Sequence, residues 1–285
     1  MPAKPKTAAG YSTTQAELVR STCLYVATIL GDLMDSIVIV GGLAPSLLID
    51  QQALPEGADP HPGTLDLDIG LHAAVLDDKL YQRIADRLRG VGFKQGTNDA
   101  GNVMRQTWSF AVRSGGTVTV DFLIPPTRSN DKGGRLRDLE NDFAAIIAPG
   151  LDLAFEDQVM VKLAGATLLG EEVERDVRVA GPGAFTVLKA LSFRGRGEPK
   201  DAFDLFYVVR NYGNGVADVA RALARLKGDR AAREALEILR VDFCKPDAIG
   251  PRRTANFLYG RDDDDTQADV VGVIELLLEL VSKAS

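Results

Sequence analysis

Two segments of this 285-residue chain place an apolar residue at every second position, and together they dictate a sheet. In residues 64–72, TLDLDIGLH, one phase is Leu65, Leu67, Ile69 and Leu71, and the other is Thr64, Asp66, Asp68, Gly70 and His72. In residues 117–124, TVTVDFLI, the apolar phase is Val118, Val120, Phe122 and Ile124, and the polar phase holds Thr117, Thr119 and Asp121. Successive side chains of a strand point to opposite faces, so an unbroken apolar phase pins the register and presents the acids together. Aspartate is depleted in strands. For Asp66 and Asp68 alone, a solvent-facing strand is the plain alternative. A third acid in matching phase weighs against it. Carboxylates at i and i+2 stand about 6.5–7 Å apart at the backbone and can converge on one hard cation or on a pair of them. If the two strands are sheet neighbours, Asp121 joins Asp66 and Asp68, and their mutual repulsion requires a cation such as Mg²⁺, which prefers oxygen donors.

The segment before these strands adds a second feature. SIVIV reads as a short buried strand, broken by Gly41 and Gly42, and LAPSLLIDQ turns helical with Pro45 in its first turn. Backbone N–H groups at such a turn can approach phosphate oxygens closely, although an ordinary strand–helix turn has the same look. Upstream, TTQAELVRSTCLYVATILGDLM has helical periodicity, with Thr14 and Glu17 at capping-box spacing. ALPEGADPHPG and PPTRSNDKGGRLRD read as loops, DDKLYQRIADRLRGVGF as a helix, and NVMRQTWSFAV as a strand joined to residues 117–124 through an RSGG hairpin turn. From about residue 140 the strand signals weaken, and after GPG (residues 181–183) five helical segments follow. The expectation is an α/β (α+β) protein, with a mixed sheet-and-helix domain over residues 1–140. A mainly helical domain over 141–285 follows, contributing Lys and Asp to the same site.

Composition removes several function classes. Asp and Glu outnumber Lys and Arg by 40 to 33, a net charge of −7, so no global positive field recruits nucleic acid and any such contact needs a local basic patch. The helical stretch VARALARLKGDRAAREALEILR and the short GPRRT are candidates for one, with solvated, salt-bridged helix faces as the alternative. Cys23 and Cys244 form no CxxC pair, and His61 and His72 are the only histidines, so a zinc site or a Ser-His-Asp triad is not expected. The N-terminus lacks an apolar h-region, and the most apolar runs are too short or carry Glu275 and Glu279, so the expectation is a soluble, cytoplasmic protein without a membrane partner. The acids of RDDDDT precede a helix and suit its N-terminal dipole better than a metal.

Gly41, Gly42, Asp66, Asp68 and Asp121 together resemble the signature of the polymerase-β-like nucleotidyltransferase superfamily. There a strand ends in a glycine turn, DxD follows on a neighbouring strand, and a third acid comes later. LKALSFRGRGEPKDAFDLF resembles the Lys…Arg…Lys-Asp-x-x-Asp segment of AbiEii-type and MenT-like nucleotidyltransferase toxins, through Lys189, Arg194, Lys200, Asp201 and Asp204. The likeness runs from about residue 36 to 212. Asp66 lies 24 positions after Gly42 (66 − 42), a longer interval than usual, and His61 is the nearest basic residue ahead of DxD.

The resemblance implies a two-metal Mg²⁺ site (Mn²⁺ as substitute) on Asp66, Asp68 and Asp121. The NTP would lie along Gly41, Gly42, Thr64, Lys189, Arg194 and Lys200, with Lys189 and Asp204 in the catalytic set. It further implies NMP transfer to an acceptor, with tRNA as the expected one, in a toxin–antitoxin or abortive-infection system with a cognate antitoxin. Transfer to a small molecule such as an antibiotic, transfer to a protein, and nucleotide binding without turnover are the alternatives. Thr64 shares the polar phase with Asp66, so a phosphate there would add negative charge beside the carboxylates and block nucleotide binding. The plain reading of Thr64 is a β-former at the start of a strand.

Overall fold

In the computed structural model, residues 4–54, 58–72, 78–98, 100–112, 115–140 and 142–284 are described. Part of the ALPEGADPHPG loop (55–57) and part of the RSGG turn (113–114) lie outside them. The alternating segments are neighbours at the centre of a mixed sheet. Its strands are β1 (Ile37–Val40), β2 (Asp66–Leu71), β3 (Lys94–Thr97), β4 (Val103–Ala111), β5 (Thr117–Ile124), β6 (Leu136–Glu140), β7 (Phe143–Ile147), β8 (Gln158–Ala166) and β9 (Glu172–Ala180). The order across the sheet is β3-β4-β5-β2-β1-β9-β8, with β7 also pairing to β5 and β6 to β7.

The helices are α1 (Thr13–Leu30), α2 (Ala44–Leu48), α3 (Asp78–Gly90), α4 (Leu153–Glu156), α5 (Pro182–Arg196), α6 (Pro199–Asn211), α7 (Val216–Leu226), α8 (Arg230–Phe243), α9 (Ile249–Tyr259) and α10 (Asp264–Lys283). The chain is thus a mixed α/β protein with a helical C-terminal region. The sheet continues well past residue 140, the last residue of β6, and unbroken helix starts at Pro182. The reason lies in β8 and β9, two alternating nine-residue strands that pair antiparallel along their whole length, while β9 joins β1 in parallel.

The two faces of the sheet bury different cores. Leu67, Ile69 and Leu71 of β2 and Val120, Phe122 and Ile124 of β5 pack with Leu24, Ala27 and Leu30 of α1 and Ile84 and Leu88 of α3. Each such side chain contributes about 1.5–3 kcal/mol when fully buried. The other face carries Val38 and Val40 of β1 into a second core with residues of α5, α6, α7, α8 and α10. All four residues of β1 are therefore buried, which explains why IVIV shows no alternation. The polar phases of β2 and β5 point to this second side, where α5 and α6 face them.

Several local expectations shift by a turn or less. The N-cap of α1 is Ser12, whose Oγ accepts from the N–H of Gln15, so Ser12 and Gln15 form the capping pair in place of Thr14 and Glu17. Residues 136–138, read as loop, open β6. The GPRRT segment lies in α9, a helix hidden from the sequence by Gly250 and Pro251, both of which fit its first turn. The acids of residues 262–265 behave as expected: Asp263 caps α10 and Asp264 and Asp265 occupy its first turn. Among the described residues, no helix is long and apolar enough to cross a membrane. Cys23 and Cys244 are both free thiols.

Candidate active site

β2 lies between β1 and β5. Asp68 stands opposite Val40 on β1 and beside Asp121 on the parallel strand β5, while Asp66 pairs with Thr119. This register brings Asp66, Asp68 and Asp121 together: each offers a carboxylate oxygen, and these atoms all lie within 4.8 Å of one another. Thr64 lies just before β2, and its hydroxyl donates to Asp66 Oδ1 at 3.0 Å. On the far side, Thr107 of β4, opposite Asp121 in the sheet, donates its hydroxyl to Asp121 Oδ1.

The glycine pair has a steric function that composition alone does not reveal. Gly41 has φ +68°, and a Cβ there would fall 1.8 Å from Asp68 Oδ2. A Cβ on Gly42 would fall 2.5 Å from Thr64 Oγ1. Both glycines therefore leave room for the polar phase of β2, and the left-handed φ at Gly41 suits glycine for a second reason. The turn continues into a single 3-10 turn, Gly41–Leu43, ahead of α2. Lys200 Nζ lies 3.5 Å from the place a Gly42 Cβ would take, so an ammonium reaches the glycine turn.

The carboxylates differ in electrostatic state. Burial, reinforced by Asp66 and then partly by Asp121, pushes the Asp68 carboxyl up to about 7. Burial also raises Asp121 above the ordinary carboxylate range, against the opposing bond from Thr107. Burial pushes Asp66 upward as well, but the ion pair with Lys4 and the Thr64 bond outweigh it and hold this group below its usual value. Lys4 is the source of that pull: its Nζ lies 2.5 Å from Asp66 Oδ2.

Across a cavity of about 780 Å³ stands a cluster of basic groups on α5 and α6. Lys189 is buried, and its ammonium donates to Asp201 Oδ1 at 3.0 Å and to Asp204 Oδ2 at 2.7 Å. Lys200 donates to Asp204 Oδ1 at 2.7 Å, one helical turn away at i+4. Arg196 grips Asp201 with two bonds, Nε to Oδ2 at 2.6 Å and Nη2 to Oδ1 at 2.8 Å. His61 Nε2 lies 2.9 Å from Asp204 Oδ1, and the N–H of Gly63 donates to Nδ1 at 3.1 Å. Nδ1 is thus an acceptor, and Nε2 carries the proton that bonds Asp204. Burial, then the charge of Lys200, lowers the imidazole to about 4, so His61 is neutral at pH 7. The ammonium groups of Lys189 and Lys200, with the His61 bond, overcome the burial of Asp204 and hold its pKa far below the usual carboxylate range. Three cations (Lys189, Arg196, Lys200) therefore face two anions (Asp201, Asp204), an inner balance of +1.

The expected site residues divide by position. Gly41, Gly42, Thr64, Asp66, Asp68, Asp121, Lys189, Arg194, Lys200 and Asp204 all border the cavity. Arg194 turns its Nε to Asp242 at 2.8 Å, whereas Arg196 faces Asp201 and feels the charges of Asp68 and Asp66. Residues two apart on a helix point about 200° apart. Lys4, Thr107 and Arg196 were not singled out from the sequence. For Thr107 a signal existed: a hairpin through RSGG places it opposite Asp121. Lys4 and Arg196 had no local signal. His61, noted only as the nearest basic residue before DxD, packs against Phe203 and Tyr207 of α6. Gln51 Oε1 accepts both the His61 N–H at 2.7 Å and the Tyr207 hydroxyl at 2.9 Å.

Against known proteins, no protein-family model matches the chain, and a search of curated proteins finds no match. Among solved structures, an antigenic nucleotidyltransferase-like protein from Paracoccidioides brasiliensis is similar at 17% identity and a TM-score of 0.41. The match covers 80% of this chain and 94% of that one.

Proposed function

We propose that this chain is a Mg²⁺-dependent nucleotidyltransferase that moves an NMP from an NTP to an acceptor hydroxyl and releases pyrophosphate. The observation that carries the reading is the convergence of Asp66, Asp68 and Asp121 on one face of two paired strands, opposite a cluster of cations. The donor set fits a hard divalent ion. All three ligands are carboxylates, and Gly41 clears the space around Asp68 that any side chain would fill. No protein group bonds or pairs with the Asp68 carboxylate among the described residues, and a buried acid in that setting suits a divalent cation as its partner.

Asp66 and Asp68 would hold the metal ions and Asp121 would share one of them. The ions would neutralise the triphosphate and lower the pKa of the attacking hydroxyl. Asp121, kept basic by burial and oriented by Thr107, would accept the proton of that hydroxyl. Lys200 reaches the glycine turn and would meet a phosphate oxygen there, beside the turn's own N–H groups. Arg196 keeps donors beyond its bonds to Asp201, and its planar fork suits phosphate. Asp204 and Asp201 act as positioning residues: they hold Lys189 and Arg196 in place and keep them charged. Catalysis on this plan is positioning and charge neutralisation.

The finer reading follows from the AbiEii-type and MenT-like resemblance of residues 189–204: a growth-inhibiting toxin with tRNA as acceptor and an antitoxin partner. The test is incubation with each labelled NTP in turn, Mg²⁺ and total tRNA, with Asp68→Asn as the control. Label in tRNA that Asp68→Asn abolishes supports the whole reading. Label confined to protein or to a small-molecule pool keeps the nucleotidyltransferase and removes the tRNA acceptor. No transfer to any of the three, with unchanged cellular effects of Asp66→Asn and Asp68→Asn, removes the enzyme.

A further inference from the structure

The three carboxylates have one cation in ion-pair contact among the described residues, and it comes from the N-terminal segment. Lys4 lies 62 positions before its partner, Asp66. The segment that delivers it is seated. Ala8–Gly10 forms a single 3-10 turn that packs against α9. The Tyr11 ring meets Phe257 with centroids 5.9 Å apart and lies 5.5 Å from the Lys200 ammonium. Gly10 allows the chain to fold on itself, since a Cβ there would fall 2.5 Å from the Cβ of Pro5. The Lys4 side chain is nevertheless 60% exposed, and among the described residues Asp66 is the group that its ammonium bonds.

Both oxygens of Asp66 are thereby engaged: Oδ1 accepts from Thr64, and Oδ2 accepts from Lys4. Mg²⁺ binds carboxylate oxygen at about 2.0–2.1 Å and draws its shell tightly around itself. An ammonium 2.5 Å from the same oxygen occupies one of its lone pairs, and its charge repels a divalent ion that approaches that atom. The ammonium also supplies the charge that the crowded acids need when no ion is present.

We propose that Lys4 is a tethered counter-cation of the metal site. It neutralises Asp66 in the metal-free protein, competes with divalent metal for Oδ2, and is displaced when metal binds. This inference rests on the metal-site reading above, but it concerns the affinity for the ion and not the transfer reaction. Because the lysine is largely exposed, its grip is modest. Solvent screens an ion pair that has one exposed partner, and a contribution of about 1 kcal/mol corresponds to about fivefold in an equilibrium constant.

The test is Mn²⁺ titration of the full chain, with free Mn²⁺ read by its paramagnetic resonance signal and no nucleotide present. Lys4→Met keeps the length of the side chain and removes the charge, and it is expected to bind Mn²⁺ about fivefold more tightly than wild type. Lys4→Arg is expected to return the affinity towards the wild-type value. The gap between Lys4→Met and wild type is expected to narrow as ionic strength rises. Equal or weaker binding by Lys4→Met overturns the inference while leaving the metal site standing. Binding that survives Asp66→Asn, or that is absent from wild type, removes the metal site itself and this inference with it.

Discussion

Gly41→Ala puts one methyl group against the carboxylate of Asp68. The new Cβ would lie 1.8 Å from Oδ2, 2.6 Å from Cγ and 2.8 Å from Cβ of that side chain, all far inside van der Waals contact. Asp68 cannot step aside easily, because β2 is bonded on both edges, to β1 and to β5. The backbone adds a second penalty. A residue with a Cβ held at φ +68° costs about 1–2 kcal/mol, and overfilling a packed site typically costs about 1–3 kcal/mol more. The expected loss of stability is therefore about 2–5 kcal/mol, with Mn²⁺ binding lost because Asp68 is pushed off its position.

Urea unfolding checks the first part and the Mn²⁺ titration the second. Gly272→Ala is the matched control. Gly272 is exposed inside α10 with nothing within 4 Å of the added Cβ, so the same substitution there should stabilise by about 0.5–1 kcal/mol. A Gly41→Ala protein within about 0.5 kcal/mol of wild type that still binds Mn²⁺ would refute the argument that the glycine exists to make room for the acid.

Three further outcomes follow from the same geometry. Lys189→Met leaves Asp201 and Asp204 short of a buried partner and should cost about 3–5 kcal/mol in urea melts, partly cushioned by Arg196 and Lys200. His61 is held neutral, with its pKa lowered from 6.5 to about 4, so the unfolded chain takes up the proton first as pH falls. Its contribution is whole above about pH 6.5 and is lost towards pH 4, at most roughly 3 kcal/mol, and His61→Gln should flatten that part of the stability–pH curve. Thr64→Ser should keep the bond to Asp66 and retain nucleotidyl transfer. Thr64→Glu, crowding Gly42 and adding charge beside the acids, should lower transfer ~10²-fold, and full activity in that variant would remove Thr64 from the site.

The heart of the site was legible because it obeys the shortest period in protein structure. Side chains on a strand alternate, so Leu67 and Ile69 on one face oblige Asp66 and Asp68 to share the other, and the same logic exposes Asp121 against Val120 and Phe122. The glycine pair and the Lys-Asp-x-x-Asp helix were equally local, since i, i+3 and i+4 positions of a helix meet whatever surrounds them. The order of β1, β2 and β5 was open in the sequence, and with it the meeting of the three acids. Hydrogen bonding and burial of the two sheet faces decided it.

Other parts of the site are held by contacts that no short window contains. Lys4 meets Asp66 across 62 positions and His61 meets Asp204 across 143. Whether Arg194 or Arg196 turned towards the carboxylates depended on where α5 stopped and on Asp242 waiting on α8 for Arg194. By itself, then, the sequence determined which side chains share a strand or helix face, because backbone periodicity is local. Only the tertiary structure decided which faces meet and which cation reaches which acid, because those choices come from packing the whole chain around two cores.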